Sequence, residues 1–259
     1  MNARLTRPVL LLLVVLLLAV GGGATVWALF LRGDEVAPLS LPSVAPTASS
    51  GTAAASGGAS ASGVTTSLPP ASAVTLDAAS IPGTWTISAG SIVGYRVREK
   101  LASLPAESDA VGRTSSITGN ATVASSGGGL GVTAAEFSVD MTSLASDRQM
   151  RDNRLRNDGI QTDSFPTSTF KLTSPVAIPA GVLTGTAVDV TLHGDLTLHG
   201  VTKTVDIPAK AQVNGSLIQV LGTLTFPFSD FGINAPNIGG FVSVQDRGTL
   251  EFQVNLAKA

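Results

Sequence analysis

From Ile81 to the C-terminus the sequence alternates, and that alternation limits what the chain can fold into more than any other feature. Trp85/Ile87, Val93/Tyr95/Val97, Ile117/Ala121/Val123, Phe137/Val139/Met141 and Phe170/Leu172 place apolar residues two apart. Val188/Val190/Leu192, Leu196/Leu198, Val205/Ile207, Ile218/Val220/Leu224/Phe226 and Leu250/Phe252/Val254/Leu256 continue the pattern. Polar residues fill the positions between, as in Glu251-Phe252-Gln253-Val254-Asn255. A period of two is that of strands with one apolar and one wet face. Ser126-Gly127-Gly128-Gly129, Pro179-Ala180-Gly181, His199-Gly200 and Asn214-Gly215 punctuate the runs as turns. About ten strands with almost no helix predict an antiparallel barrel or sandwich.

One stretch departs from this pattern. Ser146–Arg156 carries four Arg and two Asp, with Met150 and Leu155 as its large apolar residues. Asp147–Arg151 and Arg148–Asp152 stand four apart, which predicts a short exposed helix supported by ion pairs. Asp158-Gly159 ends it, and Phe165-Pro166 returns the chain to a strand.

The N-terminus reads differently again. Val9–Leu31 holds no charged residue, with Arg4 and Arg7 before it and Arg32, Asp34 and Glu35 after it. A helix of that length spans about 35 Å, enough to cross a hydrocarbon core of about 30 Å. The basic leader predicts a single-pass anchor in the cytoplasmic membrane, with everything after Leu31 outside the cytoplasm. The alternative is a cleaved signal peptide, with Gly22-Gly23-Ala24 as small residues near the cut. Residues 33–80 are rich in Ala, Ser, Thr, Gly and Pro and have no aromatic side chain, which predicts a disordered linker with a reach of about 40 Å.

Composition removes much chemistry. The chain has no Cys, two His and a net charge of −2. Thiolate nucleophiles, thiolate zinc sites and a multi-His metal centre are excluded, and no electrostatic case for nucleic acid arises. His193 and His199 share strand parity with Asp189, Thr191, Asp195 and Thr197, so both are expected on the polar face, without a third ligand. Neither a Gly-x-Ser-x-Gly elbow nor a cofactor fingerprint is present, and no enzyme, cofactor or metal is expected.

At several of these positions the chain resembles the YceI-like family of polyisoprenoid-binding proteins. The resemblance rests on Gly83-Thr84-Trp85-Thr86-Ile87, Arg151-Asp152-Asn153-Arg154-Leu155-Arg156 and Phe165-Pro166-Thr167-Ser168-Thr169-Phe170. Gly194–Lys203 with Val205, and Phe228-Ser229-Asp230-Phe231-Gly232-Ile233, complete it. It implies an all-β, extended lipocalin-like antiparallel β-barrel with one short inserted helix, enclosing an apolar tunnel for an isoprenoid lipid such as a quinone or a prenyl phosphate. The organisation expected is then an anchor at 1–32, a linker at 33–80 and a barrel at 81–259. Trp85, Tyr95, Phe137, Met141, Phe170 and Leu172 are the expected tunnel lining, and Arg151 and Arg154, on one helix face, the expected headgroup contacts. Small residues at Gly94, Gly119, Ala121, Ala134, Ala135 and Gly222 would leave room inside. One departure stands out: Ser88-Ala89-Gly90-Ser91 replaces the Asp-x-x-His-Ser element usual in the family. The competing expectation is a ligand-free exported β-domain that acts as a structural or protein-interaction module.

Overall fold

In the computed structural model, residues 36–42, 76–101, 107–126, 129–235, 237–238 and 242–259 are described. The apolar stretch at 9–31, and with it the expected anchor, lies outside them, as does most of the linker. No helix among the described residues is long and apolar enough to cross a membrane.

The alternating runs become β1 (Gly83–Ile87), β2 (Ile92–Leu101), β3 (Ser108–Thr114), β4 (Ile117–Ser126) and β5 (Gly129–Asp140). A two-residue β6 (Ala145–Ser146) leads into the helix α1 (Gln149–Asn157), followed by β7 (Thr167–Leu172) and β8 (Val176–Ile178). The long strands β9 (Val188–Leu198), β10 (Val201–Asn214) and β11 (Leu217–Pro227) come next. Short β12 (Asn237–Ile238) and β13 (Val242–Val244) precede β14 (Arg247–Lys258).

Hydrogen bonding runs β1-β4-β5-β7-β9-β10-β11-β14, and β14 returns to β1 through Trp85↔Lys258 and Ile87↔Leu256. The result is an eight-stranded antiparallel barrel, closed so that the ring has no free edge. β2 continues along the same edge of β14 as β1, so the two form one strand interrupted at Ser88–Ser91. The Ser-Ala-Gly-Ser replacement is that interruption. Gly90 takes a φ of +82°, Ser91 Oγ donates to the Ser88 carbonyl at 2.8 Å, and Asn255 Nδ2 donates to the Ala89 carbonyl at 3.0 Å.

β3 is a strand that alternation did not reveal. Its Ser-Asp-Ala-Val-Gly-Arg-Thr sequence puts Gly112 inward and Val111 outward, the reverse of the usual pattern, and Val111 is nonetheless buried. Residues just before Ile81 also pack on the barrel. Leu76 packs against the core, and Asp77 caps a 3₁₀ turn at Ala78–Ser80 through Ala79 N–H at 3.1 Å.

Two apolar clusters fill the ends of the barrel. At one end Ile81, Trp85, Val123, Val182, Val213 and Leu256 pack into a plug. At the other, Met141, Leu144, Leu198, Phe226, Phe231 and Ile233 gather beneath α1. Between them, aromatic rings lie flat against glycines of the neighbouring strand. A Cβ on Gly112 would stand 2.4 Å from the Tyr95 ring, one on Gly222 2.4 Å from Phe252, and one on Gly194 2.5 Å from Phe170. Each glycine lets its ring hug the wall instead of filling the lumen.

This arrangement predicts that Gly222→Ala costs about 1–3 kcal/mol, the usual scale of overpacking. In Phe252→Leu the same change should cost clearly less, because the opposing ring is gone. Urea unfolding of the four members of this cycle measures the coupling.

Candidate functional site

The flattened rings leave a cavity of about 250 Å³ along the barrel axis. Tyr95, Phe137, Met141, Phe170 and Leu172 line it, with Phe252 and Leu250 from β14. Its surface is almost wholly apolar. A leucine-to-alanine cavity of about 150 Å³ already stays dry and takes up benzene, so a larger apolar space favours an apolar guest over water.

Trp85 requires correction. It does not line the cavity; it is 1% exposed within the plug, and its Nε1–H donates to the Ile81 carbonyl at 2.8 Å. Its large ring packs into the barrel end where β1 meets β14, behind its cross-strand partner Ala121, which does line the cavity.

The helix behaves only partly as expected. Arg151 pairs with Asp147, as the spacing predicts, but Asp152 does not pair with Arg148; it accepts from Ser146 N–H at 3.0 Å and Ser146 Oγ–H at 2.7 Å. Asp152 is committed to Ser146 on the strand that leads into the helix, and Arg148 pairs with its neighbour Asp147 instead. Arg151 turns inward and its guanidinium donates to Glu99 Oε1 at 2.7 Å. Arg154 does not share that environment. It reaches Asp158 at 3.3 Å on the exposed side, away from the cavity.

Glu99 is the site residue that sequence reasoning missed. It continues the inward parity of Tyr95 and Val97 on β2, so the signal was present, yet its partner lies 52 positions away. Burial is the largest single influence and works against the Arg151 charge, but the hydrogen bonds that Arg151 donates to Glu99 and Asp147, together with their charges, outweigh it and hold the guanidinium above its ordinary value. The pair is therefore a closed, neutral unit at the cavity wall. The Tyr95 hydroxyl, by contrast, is buried without a hydrogen-bond partner. Burial pushes its phenol well above the ordinary 10.0; Arg151 opposes this and Asp152 and Glu99 reinforce it. Tyr95, whose ring lines the cavity, thus keeps a protonated and unpartnered O–H within the barrel wall.

The two histidines part company. His193 is exposed and meets Asp206 at 2.6 Å. His199 is not on a solvated face. It sits at φ +51°, donates Nδ1–H to the Phe231 carbonyl at 3.0 Å and packs its ring on Phe165 at 4.3 Å. A left-handed residue at a hairpin tip leaves strand parity, which is why alternation misplaced it. His199 thereby ties the Phe165-Pro166 segment, the β9–β10 hairpin and the Phe228–Phe231 turn into one rim at the α1 end of the barrel. Among the described residues, no cluster of three or more acidic or His side chains could hold a metal ion.

A closed antiparallel barrel with an apolar internal cavity and one inward polar edge defines the class of β-barrels built around an interior space. The chain belongs to the YceI-like domain family, whose family model matches residues 85–256. It is 35% identical over 114 residues to a UPF0312 protein of Vibrio parahaemolyticus, and 32% identical over 114 residues to a UPF0312 protein of Vibrio cholerae. Each alignment covers 41% of this chain and 57% of the relative, so the chain spans little more than half the length of these curated relatives. Among solved structures, a polyisoprenoid binding domain from Saccharophagus degradans implicated in plant cell wall breakdown superposes with a TM-score of 0.50. It is 16% identical, and the match covers 69% of this chain and 99% of that one. BcnA of Burkholderia cenocepacia gives a TM-score of 0.47 at 22% identity, over 65% and 98% of the two chains. At 16% identity the likeness to the Saccharophagus domain is one of fold.

Two outcomes are expected. A phenol whose folded pKa is raised contributes stability that is complete below about pH 10 and is lost as pH rises toward the folded value. Tyr95→Phe should remove that alkaline loss, as read by denaturation at pH 9 to 11. His199→Ala should cost about 1–2 kcal/mol, the scale of an orphaned buried carbonyl, while His193→Ala should stay within about 0.5 kcal/mol; urea midpoints compare them.

Proposed function

We propose that this protein is a membrane-tethered carrier that holds an isoprenoid lipid with an uncharged head, such as a quinone or prenyl alcohol, inside the barrel. It is a binding protein rather than an enzyme. The observation that carries the reading is the contrast at the polar edge of the cavity. Tyr95 offers an unused O–H, whereas the Arg151 charge is already matched by Glu99 and Asp147. A prenyl phosphate would bring its charge against the Glu99 carboxylate, with no unpaired cation lining the cavity among the described residues. A carbonyl or hydroxyl head needs only the Tyr95 donor.

Family membership and the polyisoprenoid binding of the Saccharophagus domain support the choice of an isoprenoid chain. Burial of such a chain gains up to about 0.8 kcal/mol per CH2, so exchange with the bilayer, not affinity, limits a carrier. The apolar run at 9–31 behind Arg4 and Arg7 supports an anchor in the cytoplasmic membrane with the barrel outside the cytoplasm.

Solvent extraction and mass spectrometry of the purified full chain should recover a neutral isoprenoid. Tyr95→Phe should keep the fold and weaken binding of a long-chain quinone by up to about tenfold, the worth of one hydrogen bond. Phe170→Asp should empty or unfold the barrel, because an unpaired carboxylate cannot be buried there. Equal binding of a prenyl phosphate and the matching alcohol would remove the head assignment. An empty barrel that binds neither would leave the domain as a structural module. A reporter fused after Ala259, active only outside the cytoplasm, tests the topology.

A further inference from the structure

The outer wall of the barrel contains a row of side chains that face away from the lumen and yet are buried. On β14, Leu250, Phe252, Val254 and Leu256 line the cavity, so Glu251 and Asn255 point outward; they are 3% and 7% exposed. Gln219 on β11, Gln212 on β10 and Val111 on β3 also face outward, at 5%, 3% and 4%. The polar members form a connected ladder. Gln212 Nε2 donates to Gln219 Oε1 at 3.0 Å, and Gln219 Nε2 donates to Asn255 Oδ1 at 2.9 Å. Glu251 accepts from Arg113 at 2.7 Å and from Arg96 at 3.4 Å.

Three donors of this row and of the arginines that clamp it go to one segment. Arg96 Nη2 donates to the Val36 carbonyl at 2.9 Å, Arg113 Nη2 to the Ala37 carbonyl at 2.7 Å, and Gln212 Nε2 to the Pro42 carbonyl at 3.0 Å. Val36–Pro42 therefore departs from the expectation of an undocked linker. Its Val36, Leu39 and Leu41 are half-buried, while Pro38, Ser40 and Pro42 stay exposed. That is the pattern of an extended chain laid on a surface, with Pro38 and Pro42 restricting its alternatives.

We propose that this row is a docking site for the chain's own Val36–Pro42, and that the docked strap shortens the tether. The shortening rests on the anchored reading given above; the docking does not. With Leu31 at the end of the membrane span, a free linker would let the barrel range about 40 Å. With Val36 seated on Arg96, five residue steps remain, at most roughly 17 Å of extended chain. The barrel is then held against the bilayer, where a lipid can pass between the two with little exposure to water.

The test uses the full chain reconstituted in lipid nanodiscs. The native sequence has no Cys, so Ser40→Cys with Thr223→Cys takes exactly two nitroxide labels. A single narrow inter-label distance is expected, and it should spread into a broad distribution when the other residues of 36–42 are replaced by Gly and Ser, which leaves the barrel untouched. A broad distribution in the native sequence would overturn the docking. Energy transfer from a fluorophore on Thr223→Cys to an acceptor lipid should fall after the same replacement; unchanged transfer with a narrow native distance would overturn the tether shortening. Extraction of bound isoprenoid from the same samples separates the two readings. Lipid present with a broad distance rejects the strap alone, and a narrow distance with no lipid rejects the carrier alone.

Discussion

The interior of this barrel exists because aromatic rings lie on glycines. An eight-stranded barrel is just wide enough for its own side chains to fill. Here Tyr95, Phe137, Phe170 and Phe252 would meet in the centre if each faced a Cβ on the neighbouring strand. Gly112, Gly119, Gly194 and Gly222 remove those atoms, and the rings fold back against the wall. The bulk that makes the barrel apolar is therefore also what keeps it open, between a packed plug around Trp85 and the rim beneath α1.

Charge is handled by enclosure on both faces of the wall. Inside, Glu99 and Arg151 neutralise each other at the cavity edge; outside, Glu251 is clamped by Arg96 and Arg113. Buried ions are tolerated only when paired and hydrogen-bonded, and removal of one partner is far costlier than replacement of both. Each set also fastens a separate piece of chain to the barrel, α1 in the first case and Val36–Pro42 in the second. Asp109 follows the same logic at the margin. Its partial burial favours the neutral acid, yet hydrogen bonds from Arg98 and Arg96 hold its carboxyl below the ordinary value.

How far the site could be read in advance depended on the range of the interactions. Tyr95, Phe137, Phe170 and Leu172 were legible because strand parity is local and a closed barrel has one inside; Met141, in the 3₁₀ turn just past β5, still reaches the cavity. Trp85 obeys the same parity but sits too near the barrel end, and depth along a strand is not written in its alternation. Asp147 and Arg151 stand one helical turn apart and were legible for that reason. Glu99, the inward partner of Arg151, was not, because register between β2 and α1 decides that contact. His199 was misplaced where a left-handed hairpin residue breaks the parity count.

The sequence by itself determined an all-β unit, which residues could face an apolar interior, and the absence of thiol chemistry, because these follow from periodicity and composition. It also carried the motifs of the YceI-like family. Only the tertiary structure decided that the interior stays hollow, since the register between neighbouring strands decides whether a ring meets a glycine or a Cβ. The same holds for the polar ladder on the outer wall and for the strap that crosses it. A linker-like composition states what a segment cannot do alone; whether a surface elsewhere in the chain captures it is settled by donors assembled from β2, β3 and β10 when the barrel closes.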